Sequence, residues 1–284
     1  MLIVKQITDL QKIISNQKKT GLVGFVPTMG ALHAGHISLI KKSKSTCSYT
    51  VCSIFVNPTQ FNDPNDLLKY PKPIELDIKL LEASGCDLLF LPDVSEVYPE
   101  GSTKKRNFDF GNIDKVMEGF FRPGHFDGMA QVVDRLLDIV QPDKLFMGQK
   151  DFQQLTIVRA MLKITSRQTE LVICPTLRES DGLAMSSRNV RLTKELRLQA
   201  SIIYKTLTWA KRNARHKKFD ALCEKAYNKL SLPFFKPEYF ELVDGFTLER
   251  LNNYDDSNFI IACVACWVGE VRLIDNIIIK NEKV

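Results

Sequence analysis

The sequence has no apolar stretch long enough to cross a bilayer as a helix. Its longest run, Phe259 to Val268, is about half of the ~20 residues that a membrane helix needs. No secretory core develops either, because Met1-Leu2-Ile3-Val4 is followed at once by Lys5. Glycine and proline are few, 14 and 12 of 284 residues, which excludes collagen-like and low-complexity chains. The seven cysteines are an odd number, and no disulfide framework is legible in their spacing. Cys47, Cys52, Cys86, Cys174, Cys263 and Cys266 sit in or beside apolar runs, where a reduced thiol behaves as a small hydrophobe. Cys263-Val-Ala-Cys266 lies inside a strand-like run, so its thiols are expected on alternating faces and not as a redox pair. A reducing, cytoplasmic setting is the expectation.

What is present is ordinary globular material, 44% hydrophobic and 25% charged. The 17 Phe and 7 Tyr exclude a disordered chain. A chain of this size buries about three quarters of its unfolded surface, as one large domain or two modest ones. The net charge of +6 has its densest cluster at Lys211, Arg212, Arg215, His216, Lys217 and Lys218. That cluster falls near the end of a predicted helix, where cations are favoured by the helix dipole. No aromatic residue interleaves with it, so a stacking platform for single-stranded nucleic acid is missing.

Strand-like and helix-like segments alternate through the first half of the chain. Strands are predicted at 22–27, 49–56, 87–91, 144–147 and 170–174. Helices are predicted at 37–45, 74–83, 132–140 and 152–163. Alternation of this kind implies βαβ units and a parallel sheet. After about residue 176 the pattern changes. A long helix is predicted after Thr193, read as its N-cap, and a second over 219–230. Strand-like runs follow at 239–243, 259–268 and 271–279, the last two joined by a Gly269-Glu270 hairpin signal. The expected fold class is α/β: a Rossmann-like parallel-sheet domain over 1–176 and a smaller α+β domain over 177–284.

Five segments look built for chemistry. In Pro27-Thr-Met-Gly-Ala-Leu-His33-Ala-Gly35-His36 an apolar strand ends, a glycine-containing loop follows and a helix begins. A helix start suits phosphate, through unpaired N–H groups and the dipole. Two imidazoles three residues apart lie on one face and can stabilise charge developing on a phosphate. Zinc ligation is disfavoured, since H-x-G-H lacks the base of H-E-x-x-H. Met185-Ser-Ser-Arg-Asn189 offers two hydroxyls and a guanidinium fork, an anion clamp. In Phe146 to Gln154, Lys150 can meet polyphosphate as a point charge and Asp151 can cap the next helix. One of Gln153 and Gln154 can face a polar substrate. Asn57-Pro-Thr-Gln60-Phe61 ends a core strand, the rim where ligands bind in parallel sheets. Arg122-Pro-Gly-His125 is a rigid turn or an anion-binding loop.

Together these motifs resemble the pantoate–β-alanine ligase family of the H-x-G-H nucleotidylyltransferase superfamily. The resemblance rests on VPTMGALHAGH (26–36), SIFVNPTQF (53–61), RPGHFDG (122–128), QPDKLFMGQKDFQQL (141–155), DGLAMSSRN (181–189) and RLIDN (272–276). It implies an ATP-dependent condensation of pantoate with β-alanine through a pantoyl adenylate, releasing AMP and diphosphate. It implies a nucleotide- and pantoate-binding first domain, a second domain that acts as a lid over ATP, and a homodimer. Carried onto this sequence, it places Met29, Gly30, Ala31, Leu32, His33, Ala34, Gly35 and His36 around ATP. Gly148, Gln149, Lys150, Asp151, Leu177, Met185, Ser186, Ser187 and Arg188 join them. His36, His33, Lys150 and Arg188 are the expected catalytic groups, and Arg122 lies in the phosphate region. Gln60 and Gln154 hold pantoate, Gln60 also bordering β-alanine, and Asp77 resembles an acidic residue near Mg²⁺. The family commonly has Glu where Gln149 stands. The alternatives are another nucleotidylyltransferase of the superfamily and, from a different class, an RNA-binding protein using 211–218. Neither a nucleic-acid nor a membrane partner is expected from the main reading.

Overall fold

The computed structural model describes residues 1–60, 67–68, 70–99 and 106–282. Phe61, at the end of the fourth candidate segment, lies outside them.

The chain divides into two compact units. The first comprises Met1–Phe110, Arg122–Gly148 and Ile157–Pro175. The second comprises Gly111–Phe121, Gln149–Thr156 and Thr176–Val284.

Unit 1 is built from β1 (Leu2–Val4), α1 (Ile7–Gln17), β2 (Val23–Thr28), α2 (Ala34–Lys44), β3 (Tyr49–Ile54), α3 (Ile74–Ala83), β4 (Leu88–Phe90), α4 (His125–Val140), β5 (Lys144–Gly148) and β6 (Glu170–Cys174). Helix α5 (Phe152–Ile164) joins β5 to β6. The strands form one parallel sheet in the order β1-β4-β3-β2-β5-β6. Its central strands are apolar on both faces, as a sheet covered by helices on both sides requires: every residue of Val23–Val26 and Val51–Ile54 is buried. Val26, Ile40, Cys52, Leu81, Leu89 and Phe146 meet in one of its core clusters. From β2 the chain adds β3 and β4 on one side and β5 and β6 on the other. The order therefore reverses between β2 and β5, which is where ligands settle in open parallel sheets. The loops leaving those two neighbouring strands begin at Met29 and Gln149.

Unit 2 holds α6 (Lys194–Gln199), α7 (Ile202–Asn213), α8 (Phe219–Leu230), β7 (Phe235–Asp244), β8 (Phe259–Val268) and β9 (Val271–Asn281). The strands form an antiparallel sheet in chain order. Gly269 takes φ +57° at the β8–β9 turn, a conformation that costs glycine little. Leu207, Phe219, Leu222, Phe240, Leu242 and Val264 lie in its core.

Most predicted elements stand within a few residues of their expected limits. Three differ. The helix expected from 132 begins at His125, seven residues earlier, because Gly124 at φ +79° ends the preceding turn and lets the helix start. The long helix after Thr193 is two, α6 and α7, with Thr193 Oγ1 accepting from the Leu196 N–H at its start. β1 and α1 have no counterpart in the sequence reading. β1 is an exposed edge strand too short to show period, whereas α1 does carry a helical repeat, Ile7, Leu10 and Ile14, that the sequence reading does not take up.

Candidate active site

The loop after β2 is held by a buried carboxylate. Gly30 takes φ +81° and Ala31 φ +50°, so the backbone turns sharply. The turn aims two N–H groups at Asp77 on α3. Ala31 N–H donates to Asp77 Oδ2 at 2.9 Å and Leu32 N–H to Asp77 Oδ1 at 2.7 Å. Gly30 N–H donates to Thr28 Oγ1 at 3.2 Å, and Thr28 Oγ1 donates to Ser53 O. Asp77 is fully buried. Burial pushes its pKa up, and the two backbone donors act against that.

His33 is the N-cap of α2. Its Nδ1 accepts from the Gly35 N–H at 3.1 Å, and its own N–H donates to His36 Nδ1 at 3.3 Å. This reciprocal arrangement is a capping box made of two imidazoles. The rings lie 4.1 Å apart, tilted by 45°. In each neutral ring Nδ1 is an acceptor, so the proton sits on Nε2. Both imidazoles are thereby fixed as Nε2–H donors. The expectation of unpaired N–H groups at this helix start is corrected here. The N–H groups of Gly30, Ala31, Leu32, His33, Gly35 and His36 are all engaged within the loop, on Asp77, Thr28 or the two histidines. Beyond the Ala34 N–H, what the loop offers an anion is imidazole and dipole.

Mg²⁺ takes oxygen ligands in near-octahedral geometry, with one or two carboxylates and substrate phosphates. Asp77 fits this poorly, as both its oxygens face backbone donors in a fully buried position. No group of three or more His, Cys, Asp or Glu able to hold a metal occurs among the described residues. The expected metal role gives way to an anchoring one.

The turn after β3 is fixed in the same style. Asn57 is fully buried. Its Oδ1 accepts from Thr59 N–H and Oγ1–H, and its Nδ2 donates to Gly128 O. A Cβ at Gly128 would run into the Thr59 carbonyl, so only glycine lets α4 approach this closely. Gln60 follows in the same turn, its carbonyl 3.2 Å from His125 Nδ1. Arg122 stands half-buried just before α4, its carbonyl accepting from the His125 N–H.

In unit 2, the 149–151 loop is tied to β9. Asn276 is buried; its Nδ2 donates to the carbonyls of Gln149 and Lys150 at 2.9 and 2.8 Å. Its Oδ1 accepts from Gln149 Nε2 at 3.1 Å. In that orientation the partner must be a donor, which Gln149 is and an ionised Glu would not be. Lys150 Nζ stands 3.6 Å from Asp151 Oδ1. Of the two glutamines on α5, Gln153 is buried and used structurally: its Nε2 donates to Ile113 O and Val116 O, and its Oε1 accepts from the Glu118 N–H. Gln154 is half-buried.

Ser186 Oγ accepts from the Arg188 N–H at 3.2 Å, which starts the short helical turn Ser187–Arg191. Its hydroxyl proton remains available as a donor. Met185 N–H donates to Leu177 O, so of Leu177's backbone the carbonyl is taken. Arg178 Nη1 and Nη2 reach Asp275 Oδ2 and Oδ1 at 2.6 and 3.1 Å, and its guanidinium stacks 4.0 Å from the Tyr204 ring. Sequence reasoning does not single out Arg178, Asn57, Asp275 or Asn276. Their only signal is membership in, or nearness to, the stretches that carry the family resemblance.

The basic segment has a local use. Lys217 and Lys229 lie over Trp209, and Arg215 and Lys280 over Tyr254. Two cations of the segment, Lys217 and Arg215, thus already lie against rings, one from Trp209 just before it and one that the fold brings from Tyr254.

A parallel sheet whose strand order reverses beside an H-x-G-H helix start defines an α/β enzyme of the nucleotide-binding, group-transferring kind. The comparisons narrow it. The family model for pantoate-beta-alanine ligase matches residues 2–278. The chain is 46% identical to a pantothenate synthetase of Azobacteroides pseudotrichonymphae genomovar. CFP2 over 98% of this chain and 99% of that one. It is 47% identical to one from Bacteroides fragilis, over 99% and 100%. The crystal structure of pantothenate synthetase from Thermus thermophilus aligns with a TM-score of 0.92 at 38% identity, covering 99% of this chain and 100% of that one. A Francisella tularensis pantoate-beta-alanine ligase, complexed with beta-gamma ATP and beta-alanine, aligns at 0.80 and 38%, covering 98% of both. The chain belongs to the pantoate-beta-alanine ligase family.

Proposed function

We propose that this chain makes pantothenate in two steps at one nucleotide site. Pantoate carboxylate attacks the α-phosphate of ATP, forming pantoyl adenylate and releasing diphosphate. The amine of β-alanine then attacks the acyl carbon, loses a proton and expels AMP. Adenylation turns a poor leaving group into a good one, so no enzyme nucleophile is needed. Positioning and charge stabilisation are the protein's task.

The observation that carries this reading is the imidazole pair, each ring fixed as an Nε2–H donor at the reversal point of the sheet. His36 and His33 donate to phosphate oxygens as negative charge builds in the first step. Lys150 acts as a point charge, while Ser186, Ser187 and Arg188 supply hydroxyl donors and a planar fork. Met29 to His36, Gly148, Gln149, Asp151, Leu177 and Met185 line the nucleotide, with Arg122 toward its phosphates. Gln60 and Gln154 hold pantoate and Gln60 borders β-alanine. Mg²⁺ enters as part of the substrate, held by the ATP phosphates. The reading extends to a cytoplasmic homodimer. The family resemblance supports the dimer, and seven unpaired, buried thiols support a reducing compartment.

The test is AMP formation with ATP, pantoate and β-alanine. Release that needs all three supports the ligase. Adenylyl transfer to another acceptor, with no AMP on adding β-alanine, supports a different nucleotidylyltransferase. Tight, steeply salt-dependent RNA binding without turnover would favour the basic segment instead.

A further inference from the structure

Successive side chains on a strand leave on opposite faces. On β9 this alternation puts two buried polar residues side by side, each bound to a different loop of unit 2. Asn276 gives both amide hydrogens to the carbonyls of Gln149 and Lys150, and its oxygen takes the Gln149 amide. Asp275, buried, takes the Arg178 guanidinium through both oxygens. Arg178 in turn donates to Gly182 O and Asn276 O, closing the loop from 178 to 182. That loop runs into Met185–Arg188, and Met185 N–H returns to Leu177. Gly182 at φ +92° lies against the ring of Tyr204, which also stacks on Arg178.

We propose that Asp275 and Asn276 are positioning residues for the ATP step. Asn276 sets the backbone from which Lys150 extends, and Asp275, through Arg178, sets the loop that delivers Ser186, Ser187 and Arg188. The inference rests on the nucleotide-site reading above. One dipeptide on one strand fixes the separation of two phosphate-binding segments, so a small shift at β9 moves both.

The experiment measures affinity for a non-hydrolysable ATP analogue by calorimetry, with pantoate affinity in parallel. It uses wild type, Asn276→Ala, Lys150→Ala and their double variant. Asn276→Ala is expected to weaken the analogue at least ~10-fold, as displacement of a binding group by about an ångström can. Pantoate affinity stays within twofold. In the Lys150→Ala background the same change costs less than about threefold, because a residue acting through another couples to it. Arg178→Lys keeps the charge opposite Asp275 but loses the fork, and is expected to weaken the analogue while sparing pantoate. Unchanged analogue affinity in both Asn276→Ala and Arg178→Lys, equal losses for both ligands, or additive losses in the double variant each overturn the proposal. Failure of the wild type itself to bind the analogue would overturn the nucleotide-site reading. Normal wild-type binding with unaffected variants would overturn only the positioning role.

Discussion

The backbone N–H of His33 donates to Nδ1 of His36 at 3.3 Å, so the second imidazole both closes the start of α2 and has its tautomer chosen for it. The two duties can be separated. Asn at position 36 places its oxygen near the Nδ1 position and leaves nothing at Nε2. His36→Asn is expected to keep most of the capping energy, whereas His36→Ala gives up about 0.5–2 kcal/mol. Both should cut turnover by at least ~100-fold, since both remove the phosphate donor. Urea unfolding and steady-state rates check this together. Near-normal turnover in His36→Asn would remove the Nε2–H from the mechanism.

Asp77 is expected to matter for loop geometry and not for metal. Asp77→Asn turns a buried NH₂ toward a backbone N–H, an unsatisfied contact costing about 1–3 kcal/mol. KM for ATP should rise, with the Mg²⁺ dependence unchanged in shape once ATP is saturating. A rightward shift of the Mg²⁺ curve alone would restore the metal role.

The same carboxyl gives a pH signature. Burial raises its pKa in the fold, so the folded protein binds that proton more tightly than the unfolded chain does. The burial penalty is therefore present at neutral pH and is relieved as pH falls through the raised pKa toward the ordinary carboxylate range near 4. Wild type should gain stability relative to Asp77→Asn over that interval. Urea midpoints for both proteins across it provide the comparison, and parallel curves would contradict the raised pKa.

Gln60 should be disturbed from behind. Gly128→Ala drives a methyl into the Thr59 carbonyl, with about 1–3 kcal/mol lost to overpacking. His125→Ala removes the ring beside Gln60 O. Both are expected to raise KM for pantoate and β-alanine several-fold while leaving KM for ATP near its wild-type value. His125→Asn, which keeps a donor near the Nδ1 position, should recover part of the loss.

All seven thiols are buried. Burial pushes Cys86 and Cys223 up to about 11 and Cys266 up to about 12. A thiol reagent at pH 8 should find almost no reactive cysteine in the folded protein and seven in denaturant. Rapid labelling of a native thiol would point to an exposed conformer.

Much of this is legible from the chain. The parallel sheet follows from apolar runs alternating with 3.6-period helices, and the H-x-G-H loop from two histidines behind a strand end. What escapes is either short or assembled at a distance. β1 is three residues long, too brief for any period to register. Gln153 and Gln154 are neighbours of one type; only the fold reveals that the first is consumed by the carbonyls of Ile113 and Val116. Asp77 is separated by about 45 residues from the N–H groups it holds, and Asn276 by 126 from the carbonyl of Lys150. Sequence pattern records periodicity along a chain. It does not record which carboxylate meets which backbone donor after folding.

The most direct test of the central claim is a coupled assay of AMP release with ATP, pantoate and β-alanine, run with each substrate omitted in turn. The account predicts AMP in one-to-one ratio with pantothenate when all three are present. It predicts diphosphate but little free AMP when β-alanine is left out. No AMP above background from folded, ATP-binding protein, or AMP release that ignores pantoate, would contradict it.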